Sequence, residues 1–392
     1  MNIALVCFGI ASISNVSGME KVFVEMANEF IRRGHVVYAV WNDVPGIKPY
    51  YPLIPNVRSV NLGLGKIKVP LRYKIMREIC KGLHIRAKNR VDTFKTEQLA
   101  KAFLLNIPLN NIDIFVCFEF NSFLVANYLS HKKIPIVVMV HNSIEDQIVP
   151  LTDLQRRQAS EADVYQVLMP SYVEQAKKLL NTRIVYIPNI VPIIDNRHVA
   201  NLAKHKIRYR IIHVGRVEGR QKRQLILVNA FAALSKKYPN WDLELYGPIG
   251  DCNYKLEIDG VIKSHNLNNR VIYKGITNHV LEALRESDIF AFPSSYEGFS
   301  LALTEAMSVG LPTVGFEYAP SVQDLIIDGK NGYLAKNEKE FTDKLELLMK
   351  NRDLRIKFGA NARKEMEKYS PNIIWGKWEH LLINLIKDKS EA

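Results

Sequence analysis

The chain has 392 residues, a length that suits two domains of ordinary size better than a single hydrophobic core. Hydrophobic residues make up 47% and charged residues 24% of the sequence, a composition typical of soluble globular proteins. The net charge is +13 at pH 7, but no recognisable nucleic-acid-binding motif accompanies the excess of Lys and Arg. We therefore expect no nucleic-acid partner.

The cysteines and the first residues indicate the compartment. Cys7, Cys80, Cys117 and Cys252 are scattered and form no CxxC pair, which favours buried thiols in a reducing compartment over disulfides or metal ligands. The opening MNIALVCFGI lacks the basic region and the cleavage site of a signal peptide and is predicted to be a strand. No apolar run approaches the roughly 18 residues that a membrane span needs. These features predict a cytoplasmic protein.

Short apolar runs alternate with helical patterns along the chain, which predicts parallel sheets built from βαβ units. In the first half, strands are predicted at 3–8, 36–41, 114–118, 136–140, 164–169 and 184–188. In the second half, they are predicted at 209–215, 242–247, 270–275, 288–293 and 311–316. Residues 20–34 carry one apolar stripe at helical spacing, and this predicted helix ends at Gly34.

Residues 66–95 carry ten Lys or Arg against two acidic residues, Glu78 and Asp92. Apolar residues recur between these cations at helical spacing: Leu71, Ile75, Ile79 and Leu83. A basic amphipathic helix suits the anionic inner face of the cytoplasmic membrane, where the protein would be peripheral. A solvated helix face explains the same pattern, and the sequence leaves both interpretations open.

The alternating pattern breaks at residues 188–208, which contain two prolines and then become polar and basic. This break predicts an N-terminal domain over 1–190 and a C-terminal domain over 191–372. A last helical stretch over 373–392 is expected to pack back on the first domain. The predicted fold class is α/β, with two doubly wound Rossmann-like domains facing each other across a cleft.

The turn after the strand at 288–293 has the features of an anion site. Ser300 is a suitable N-cap for a helix over 301–309. Three backbone N–H groups would then point outward at the positive end of the helix dipole: those of Gly298, Phe299 and Ser300. Such an arrangement suits a phosphate group.

Two glutamates, Glu297 and Glu305, flank this turn. An ionised carboxylate only accepts hydrogen bonds, so each suits the hydroxyls of a sugar or a ribose rather than the phosphate. Taken alone, two surface glutamates around a helix start would explain the pattern equally well.

The loop after the strand at 209–215 supplies two cations, Arg216 and Lys222, and the glycines Gly215 and Gly219 give it conformational freedom. A basic loop by itself is usually only solvated. Beside the anion site on a neighbouring strand, however, the two cations would form a binding pair for a diphosphate.

These motifs resemble those of the family 4 glycosyltransferases, which are retaining, nucleotide-sugar-dependent enzymes of the GT-B fold. The matching pieces of the second half are HVGRVEGRQK, SSYEGFSLALTEAMSVGLPTVG and VQDLIIDGKNGYL. The first half matches more loosely, through SGMEKVFVEMANEFIRRGHVV, VVMVHNS and MPSYVEQAKKLL. The resemblance covers most of the chain, and it implies an acceptor-binding first domain and a donor-binding second domain.

The resemblance also implies roles for the motif residues of the second half. Arg216 and Lys222 would bind the donor diphosphate and stabilise the leaving group, and Glu297 would contact the transferred sugar. Glu305 would hold the ribose hydroxyls of the nucleotide. The backbone amides from Gly298 to Leu301 would bind the distal phosphate, with Gly215 also on the donor side.

In the first half, Gly18 would lie under the diphosphate and His141 would reach the donor sugar or the reaction centre. Three positions depart from the family pattern. Ser17 replaces a frequent glycine before Gly18, Ile190 stands where the family commonly has glycine, and Arg223 follows Lys222 in place of glycine.

The function implied is transfer of a sugar, with retention of configuration, from a nucleotide-diphosphate sugar, most commonly UDP-linked. The acceptor would be a hydroxyl of a membrane-associated or cell-envelope glycan such as lipopolysaccharide, capsule or teichoic acid. No DxD triplet, HExxH motif or Cys/His cluster occurs, so we expect no cofactor and no obligatory metal.

Other functions stay open at this stage. A nucleotide-sugar epimerase, a sugar phosphorylase and a non-catalytic nucleotide-sugar-binding subunit of a membrane glycan assembly could share this architecture. A dinucleotide oxidoreductase is disfavoured, because no GxGxxG motif follows a strand.

Overall fold

The computed structural model describes residues 1–9, 12–15, 18–82 and 90–391. The chain divides into two compact units. The N-terminal unit comprises Met1–Ile187 with Gly376–Ala392, and the C-terminal unit comprises Pro188–Trp375. Within the described residues, each unit contains one parallel sheet, of seven strands in the first and six in the second. The predicted fold class of two doubly wound, Rossmann-like units is confirmed.

The sheet of the N-terminal unit has the strand order β3-β2-β1-β4-β5-β6-β7. Its strands are β1 (Asn2–Cys7), β2 (Val36–Trp41), β3 (Arg58–Asn61), β4 (Ile114–Cys117), β5 (Ile136–Met139), β6 (Val164–Val167) and β7 (Arg183–Tyr186). The order reverses between β1 and β4. This reversal is the point at which open parallel sheets bind ligands beyond the carboxyl ends of their strands.

The helices of this unit cover both faces of its sheet, as parallel strands require. They are α1 (Gly18–Arg32), α2 (Leu71–Gly82), α3 (Arg90–Asn106), α4 (Phe120–Ser130), α5 (Ile144–Gln147), α6 (Asp153–Ala159) and α7 (Ser171–Leu179), with a 3-10 turn at Leu109–Asn111. Gly34, just after α1, has a φ of +84°, a left-handed conformation that suits glycine at a helix end.

The sheet of the C-terminal unit has the order β10-β9-β8-β11-β12-β13, and it reverses between β8 and β11. Its strands are β8 (Tyr209–Val214), β9 (Trp241–Tyr246), β10 (Val271–Gly275), β11 (Ile289–Phe292), β12 (Thr313–Phe316) and β13 (Gly332–Ala335). Buried side chains from these strands, including Trp241 and Leu243, pack against Phe231 and Leu227 to form the core.

The remaining helices follow these strands in the usual alternation. They are α8 (Gln224–Ser235), α9 (Cys252–Ser264), α10 (Val280–Arg285), α11 (Leu301–Ser308), α12 (Pro320–Leu325), α13 (Glu338–Lys350), α14 (Arg352–Met366) and α15 (Pro371–Glu391), with 3-10 turns at Asn196–His198 and Glu367–Tyr369. No helix among the described residues is long and apolar enough to cross a membrane.

The basic segment over 66–95, for which an amphipathic helix was predicted, contains α2 and the start of α3. Helix α2 begins at Leu71, after Pro70, and the described part of α3 begins at Arg90. Proline at the start of a helix is compatible with its fixed φ, whereas earlier extension would cost a backbone hydrogen bond. Leu83, the last apolar residue of the predicted stripe, lies outside the described residues.

Candidate functional site

The loops that carry the predicted motifs of the second half leave the same edge of one sheet. Strands β8 and β11 are parallel neighbours, with Ile211 opposite Ile289 and Ile212 opposite Phe290. Because their carboxyl ends lie together, the loop over 215–223 and the turn over 293–300 are adjacent. This edge is also the point where the strand order reverses, the usual ligand-binding position of such sheets.

Lys222 and Glu297 form an ion pair across these two loops. The Lys222 Nζ lies 2.6 Å from the Glu297 Oε1, and the two side chains are only 19% and 8% exposed. The ammonium group also lies 5.7 Å from the centre of the Phe292 ring. The pair is therefore largely withdrawn from water, where charge interactions are stronger than at the surface.

Hydrogen bonds hold the two loops in this arrangement. The Ser295 N–H donates to the Gln221 carbonyl at 2.9 Å, and the Gln221 side-chain amide donates to the Tyr296 carbonyl at 3.0 Å. The carboxylate of Glu218 accepts from the N–H of Gln221 at 3.1 Å and from that of Lys222 at 2.9 Å. The Lys222 backbone is thereby fixed, which limits the positions open to its side chain.

Arg216 lies at the same edge, with its side chain exposed and packed on Gly250. A Cβ added at Gly250 would come within 2.4 Å of the Arg216 Cδ and 2.6 Å of its Cγ. The loop that contains Gly250 is held in place, since the N–H of Val217 donates to the Pro248 carbonyl at 2.9 Å. Sequence reasoning did not single out Gly250, because its role depends on a contact between two loops distant in the chain.

A buried histidine supports the start of the Arg216 loop. The His213 Nδ1 lies 3.0 Å from the Ala291 carbonyl, and the His213 Nε2 lies 3.2 Å from the Gln224 side-chain nitrogen. The same Gln224 nitrogen donates to the Arg216 carbonyl at 2.8 Å. Burial, with a smaller effect of the Lys222 charge, lowers the pKa of His213 to about 4. A neutral ring that donates to Ala291 and accepts from Gln224 satisfies both contacts.

The turn that is predicted to bind an anion leads into α11, and this helix begins at the predicted residue, Leu301. Ser300 is the N-cap, and its hydroxyl oxygen accepts from the Leu303 N–H at 3.3 Å. Gly298, Phe299 and Ser300 are buried, and the Phe299 ring packs edge-on against Tyr369 with the ring centres 5.5 Å apart. Leu301 is the first residue of the helix, so its N–H belongs to the first turn, where backbone donors have no intrahelical acceptor.

Glu305 lies in the second turn of α11 and is half-buried. Helix residues five positions after the N-cap lie above its first turn, so the carboxylate is near the same helix end as the anion site. Gly215 lies at the end of β8, where a Cβ would come within 3.0 Å of the His213 Nε2 and 3.4 Å of the Lys222 Cδ. A side chain at Gly215 would therefore crowd the lysine stem.

Arg223, which replaces the glycine of the family pattern, points away from these groups. Its backbone has a φ of +54° and precedes α8. Its guanidinium donates to the Tyr318 hydroxyl at 2.5 Å and lies 5.8 Å from the centre of the Phe316 ring. The left-handed backbone explains why glycine is compatible with this position in other sequences.

In the N-terminal unit, His141 follows β5 and stacks on Phe118 with the ring centres 4.8 Å apart. Its Nε2 is buried and has no hydrogen-bond partner among the described residues. Burial lowers the pKa of His141 to about 3, so the ring is neutral at pH 7. An orphaned buried nitrogen is costly unless another group completes its hydrogen bond, which makes His141 a candidate for ligand contact.

Gly18 is the first residue of α1 and is exposed. Ser17, the departure noted beside it, lies outside the described residues.

Glu119 is a half-buried glutamate near the end of β1 that sequence reasoning missed. It caps α4 by accepting from the N–H groups of Asn121 at 2.6 Å and Ser122 at 2.9 Å, and it also accepts from the Phe8 N–H at 3.1 Å. A Cβ at Gly9 would come within 2.6 Å of the Glu119 Cδ. Burial raises the pKa of this carboxyl group. The signal available was a glutamate directly after a predicted strand and before a helix.

No group of three or more His, Cys, Asp or Glu side chains that could hold a metal ion occurs in the part of the chain that the structure describes. Metal independence remains a prediction, to be tested with chelators.

The contact between Arg216 and Gly250 leads to a testable expectation. In a Gly250→Ala variant, the new methyl group should displace the Arg216 stem and lower turnover about tenfold, because the resemblance predicts that Arg216 stabilises the leaving group and this depends on its position. Gly260→Ala, in α9, is the matched control, since a Cβ there meets nothing within 4 Å. Steady-state kinetics of both variants test this. Equal activity of the two would show that the position of Arg216 does not matter.

The fold defines the structural class of the protein. Its two Rossmann-like parallel-sheet units are those of the GT-B fold, which glycosyltransferases have. Residues 195–365 match the family model of glycosyl transferases group 1. The match covers most of the C-terminal unit.

Two relatives and one solved structure illustrate the similarity. The chain is 24% identical over 383 residues to an uncharacterised glycosyltransferase of Haemophilus influenzae, which covers 96% of this chain and 99% of the relative. It is 32% identical over 199 residues to the poly(ribitol-phosphate) alpha-N-acetylglucosaminyltransferase of Staphylococcus aureus, covering 50% of this chain but only 40% of that relative.

The similar solved structure is that of a mutant of TarM of S. aureus in complex with fondaparinux, alpha-GlcNAc-glycerol and UDP. Its TM-score is 0.74 at 19% identity, over 98% of this chain and 99% of that chain. At this identity the likeness supports the fold.

Proposed function

We propose that this protein is a retaining glycosyltransferase that transfers a sugar from a nucleotide-diphosphate sugar, most simply a UDP-sugar, to a hydroxyl of a cell-envelope glycan. The observation that carries this proposal is the buried contact between Lys222 and Glu297, 2.6 Å apart, beside the N-terminus of α11. A cation, a carboxylate and free backbone donors are there within one small region. Together they match a diphosphate bonded to a sugar.

The proposed roles follow from the chemistry of each group. Lys222 and Arg216 neutralise the diphosphate as negative charge develops on the leaving group, an effect that is usually the largest single contribution to catalysis. The N–H groups from Gly298 to Leu301 bind the distal phosphate at the positive end of the α11 dipole. Glu297, which can only accept hydrogen bonds when ionised, binds hydroxyls of the transferred sugar.

Glu305, like Glu297, can only accept hydrogen bonds when it is ionised, and it binds the ribose hydroxyls. Before the donor binds, Glu297 also compensates the buried charge of Lys222, which would be costly alone. When the diphosphate arrives, it supplies a second anion for Lys222. Glu297 can then also accept hydrogen bonds from the hydroxyls of the sugar.

His141 contributes a neutral imidazole. Because its pKa is lowered to about 3, it can bind a substrate hydroxyl without adding charge at neutral pH. Its unpartnered Nε2 would then be satisfied by that hydroxyl. Gly18, the first residue of α1, is proposed to lie under the diphosphate.

In the proposed reaction, the acceptor hydroxyl attacks the anomeric carbon from the face that the diphosphate leaves. A new C–O bond forms as the bond to the phosphate oxygen breaks, and that phosphate oxygen takes the proton. Configuration at the anomeric carbon is thereby retained. The S. aureus relative, a poly(ribitol-phosphate) alpha-N-acetylglucosaminyltransferase, supports an acceptor of the cell envelope, and a cytoplasmic location suits a nucleotide-sugar donor.

A screen of nucleotide sugars tests this function. UDP-, GDP- and ADP-linked sugars are compared by thermal shift and by slow donor hydrolysis, first without any acceptor. We expect one nucleotide to raise the melting temperature and its sugar to be released. Conversion of the donor to an epimer, with no free sugar formed, would instead indicate an epimerase.

Product analysis tests the stereochemistry and the metal prediction. With a glycan acceptor, the anomeric configuration of the new linkage is read by NMR and is expected to equal that of the donor. Turnover is expected to persist in EDTA. An inverted linkage would exclude the proposed mechanism, and recovery of lost activity only on adding Mg²⁺ or Mn²⁺ would exclude metal independence.

A further inference from the structure

Helix α2 turns its apolar side chains toward solvent. The exposed fractions of four of them are large: Leu71 69%, Ile75 49%, Met76 45% and Ile79 48%. Leu71, Ile75 and Ile79 follow one another at intervals of four residues and so form one stripe along the helix. An amphipathic helix of a globular protein normally directs such a stripe into the core.

The opposite side of α2 is the side that packs on the protein. Tyr73 is half-buried, and its ring lies 4.9 Å from that of Phe94 in α3. Cys80, seven residues further on, is also half-buried. At 100° per residue, these two positions lie about 150° from the centre of the stripe. The orientation of α2 is therefore set by α3, and its apolar stripe faces outward.

Cations surround the stripe. Residues 66–82 contain six Lys or Arg and one acidic residue, Glu78. Five of the cations are exposed: Lys66, Lys68, Arg72, Lys74 and Arg77. Glu78 pairs with Arg77 at 2.7 Å, which leaves a strong positive excess around the apolar side chains.

We propose that α2 lies on the surface of an anionic lipid bilayer, with the stripe of Leu71, Ile75 and Ile79 inserted among the acyl chains and the cations at the headgroups. An exposed apolar stripe flanked by Lys and Arg is complementary to such a surface in both polarity and charge. A second copy of the chain fits less well, because a symmetric contact would bring the same cations together. This inference goes beyond the proposed function, since none of the residues involved takes part in sugar transfer.

Vesicle flotation of the full chain tests the proposal. We expect binding to vesicles that contain anionic phosphatidylglycerol and little binding to vesicles of neutral phosphatidylcholine alone. Raising the salt from about 0.1 M to about 1 M shortens the screening length from about 10 Å to about 3 Å and should release much of the bound protein. Absence of binding to the anionic vesicles, or equal binding to both kinds, would overturn the proposal.

Substitution of the stripe tests the role of its apolar side chains. The double variant Ile75→Ser/Ile79→Ser is expected to reduce partition to anionic vesicles at least about tenfold. The control is Leu105→Ser, in α3, where the side chain is 87% exposed but lies outside the cationic region. A similar loss in the control would show that any exposed apolar side chain of this unit suffices, against the proposal.

A second comparison tests the charges. Removing three cations of α2 is expected to weaken partition about 100-fold, at about fivefold for each cation near the surface. The variant carries Arg72→Gln, Lys74→Gln and Arg77→Gln. Its control changes three exposed lysines elsewhere on the N-terminal unit: Lys101→Gln, Lys133→Gln and Lys178→Gln. Equal losses in the two would assign binding to net charge alone and overturn a specific α2 surface.

Two further measurements distinguish a lipid-binding helix from one that supports catalysis or self-association. Donor hydrolysis by the α2 variants should stay within about twofold of the unaltered chain, so loss of vesicle binding and loss of function can be told apart. Sedimentation velocity without lipid should show no self-association that depends on Ile75 and Ile79. Such association would assign the stripe to a second copy of the chain and overturn the membrane proposal.

Discussion

Replacing Lys222 by Met is expected to lower sugar transfer at least about 100-fold, the effect seen when one preorganised charge-stabilising donor is removed from an active site. Methionine retains an unbranched stem of similar size but removes the ammonium group that lies 2.6 Å from Glu297. Because that group is proposed to act on the leaving diphosphate, most of the loss should be in kcat. Steady-state kinetics with the donor found in the screen measure it.

The matched control for this variant is Lys237→Met. Lys237 also pairs with a glutamate, Glu346, at 2.5 Å, but its side chain is 67% exposed on the surface of the same unit. Surface pairs contribute little, so we expect activity within about twofold of the unaltered chain. Comparable turnover of the Lys222 and Lys237 variants would remove the basis of the proposed mechanism.

Loss of folding is separated from loss of catalysis by a double variant. Lys222→Met alone removes the Lys222 ammonium from a largely buried ion pair, and breaking such a pair from one side can destabilise a protein by about 3–5 kcal/mol. Lys222→Met/Glu297→Gln removes both charges, so its melting temperature should recover while its activity stays low. Activity that recovered together with stability would mean that Lys222 acts only as a structural residue.

The second large effect concerns pH. The free energy of unfolding is expected to fall by about 3 kcal/mol as the pH drops from 6.5 to about 4, through His213 alone. Burial lowers the pKa of this histidine from 6.5 to about 4 in the folded chain. In this range the unfolded chain therefore binds a proton that the folded chain does not, and stability rises with pH. Denaturant titrations at several pH values, followed by tryptophan fluorescence, measure the slope.

His213→Gln identifies the residue responsible. The variant lacks the titrating ring, so its stability should depend less on pH between 4 and 6.5, even though its stability at pH 7 will be lower. His265→Gln, at the exposed end of α9, is the control and should keep the slope of the unaltered chain. If both variants kept that slope, other buried groups, such as His141, would have to account for the acid sensitivity.

Most of the strands could be predicted from the sequence because their signal is local. Eleven strands lie within two residues of the predicted apolar runs. The other two described strands, β3 and β13, were missed. The first reads RSVN and has one apolar residue, and the second reads GYLA, which is short and begins with glycine. They are strands because a neighbouring strand, β2 or β12, supplies their hydrogen-bonding partners.

Part of the candidate site could also be predicted, because the motifs that carry it are local in the sequence. Lys222 and Glu297 were expected to lie on neighbouring strand ends, and the structure pairs them. Gly250 and His213 could not be found, since each acts through a contact with a residue far away in the chain or in another loop. Glu119 was missed because the sequence does not distinguish a glutamate that caps a helix and has a raised pKa from an ordinary surface glutamate.

By itself, the sequence determined the alternation of strands and helices, the position of Ser300 at a helix start and the residue types that suit a diphosphate and a sugar. These properties depend on backbone propensities and on neighbours a few residues away. Only the tertiary structure decided that Lys222 is buried against Glu297, that His213 is neutral and that the apolar stripe of α2 faces outward. Burial and charge pairing depend on which elements pack together, and that information is spread over the whole chain.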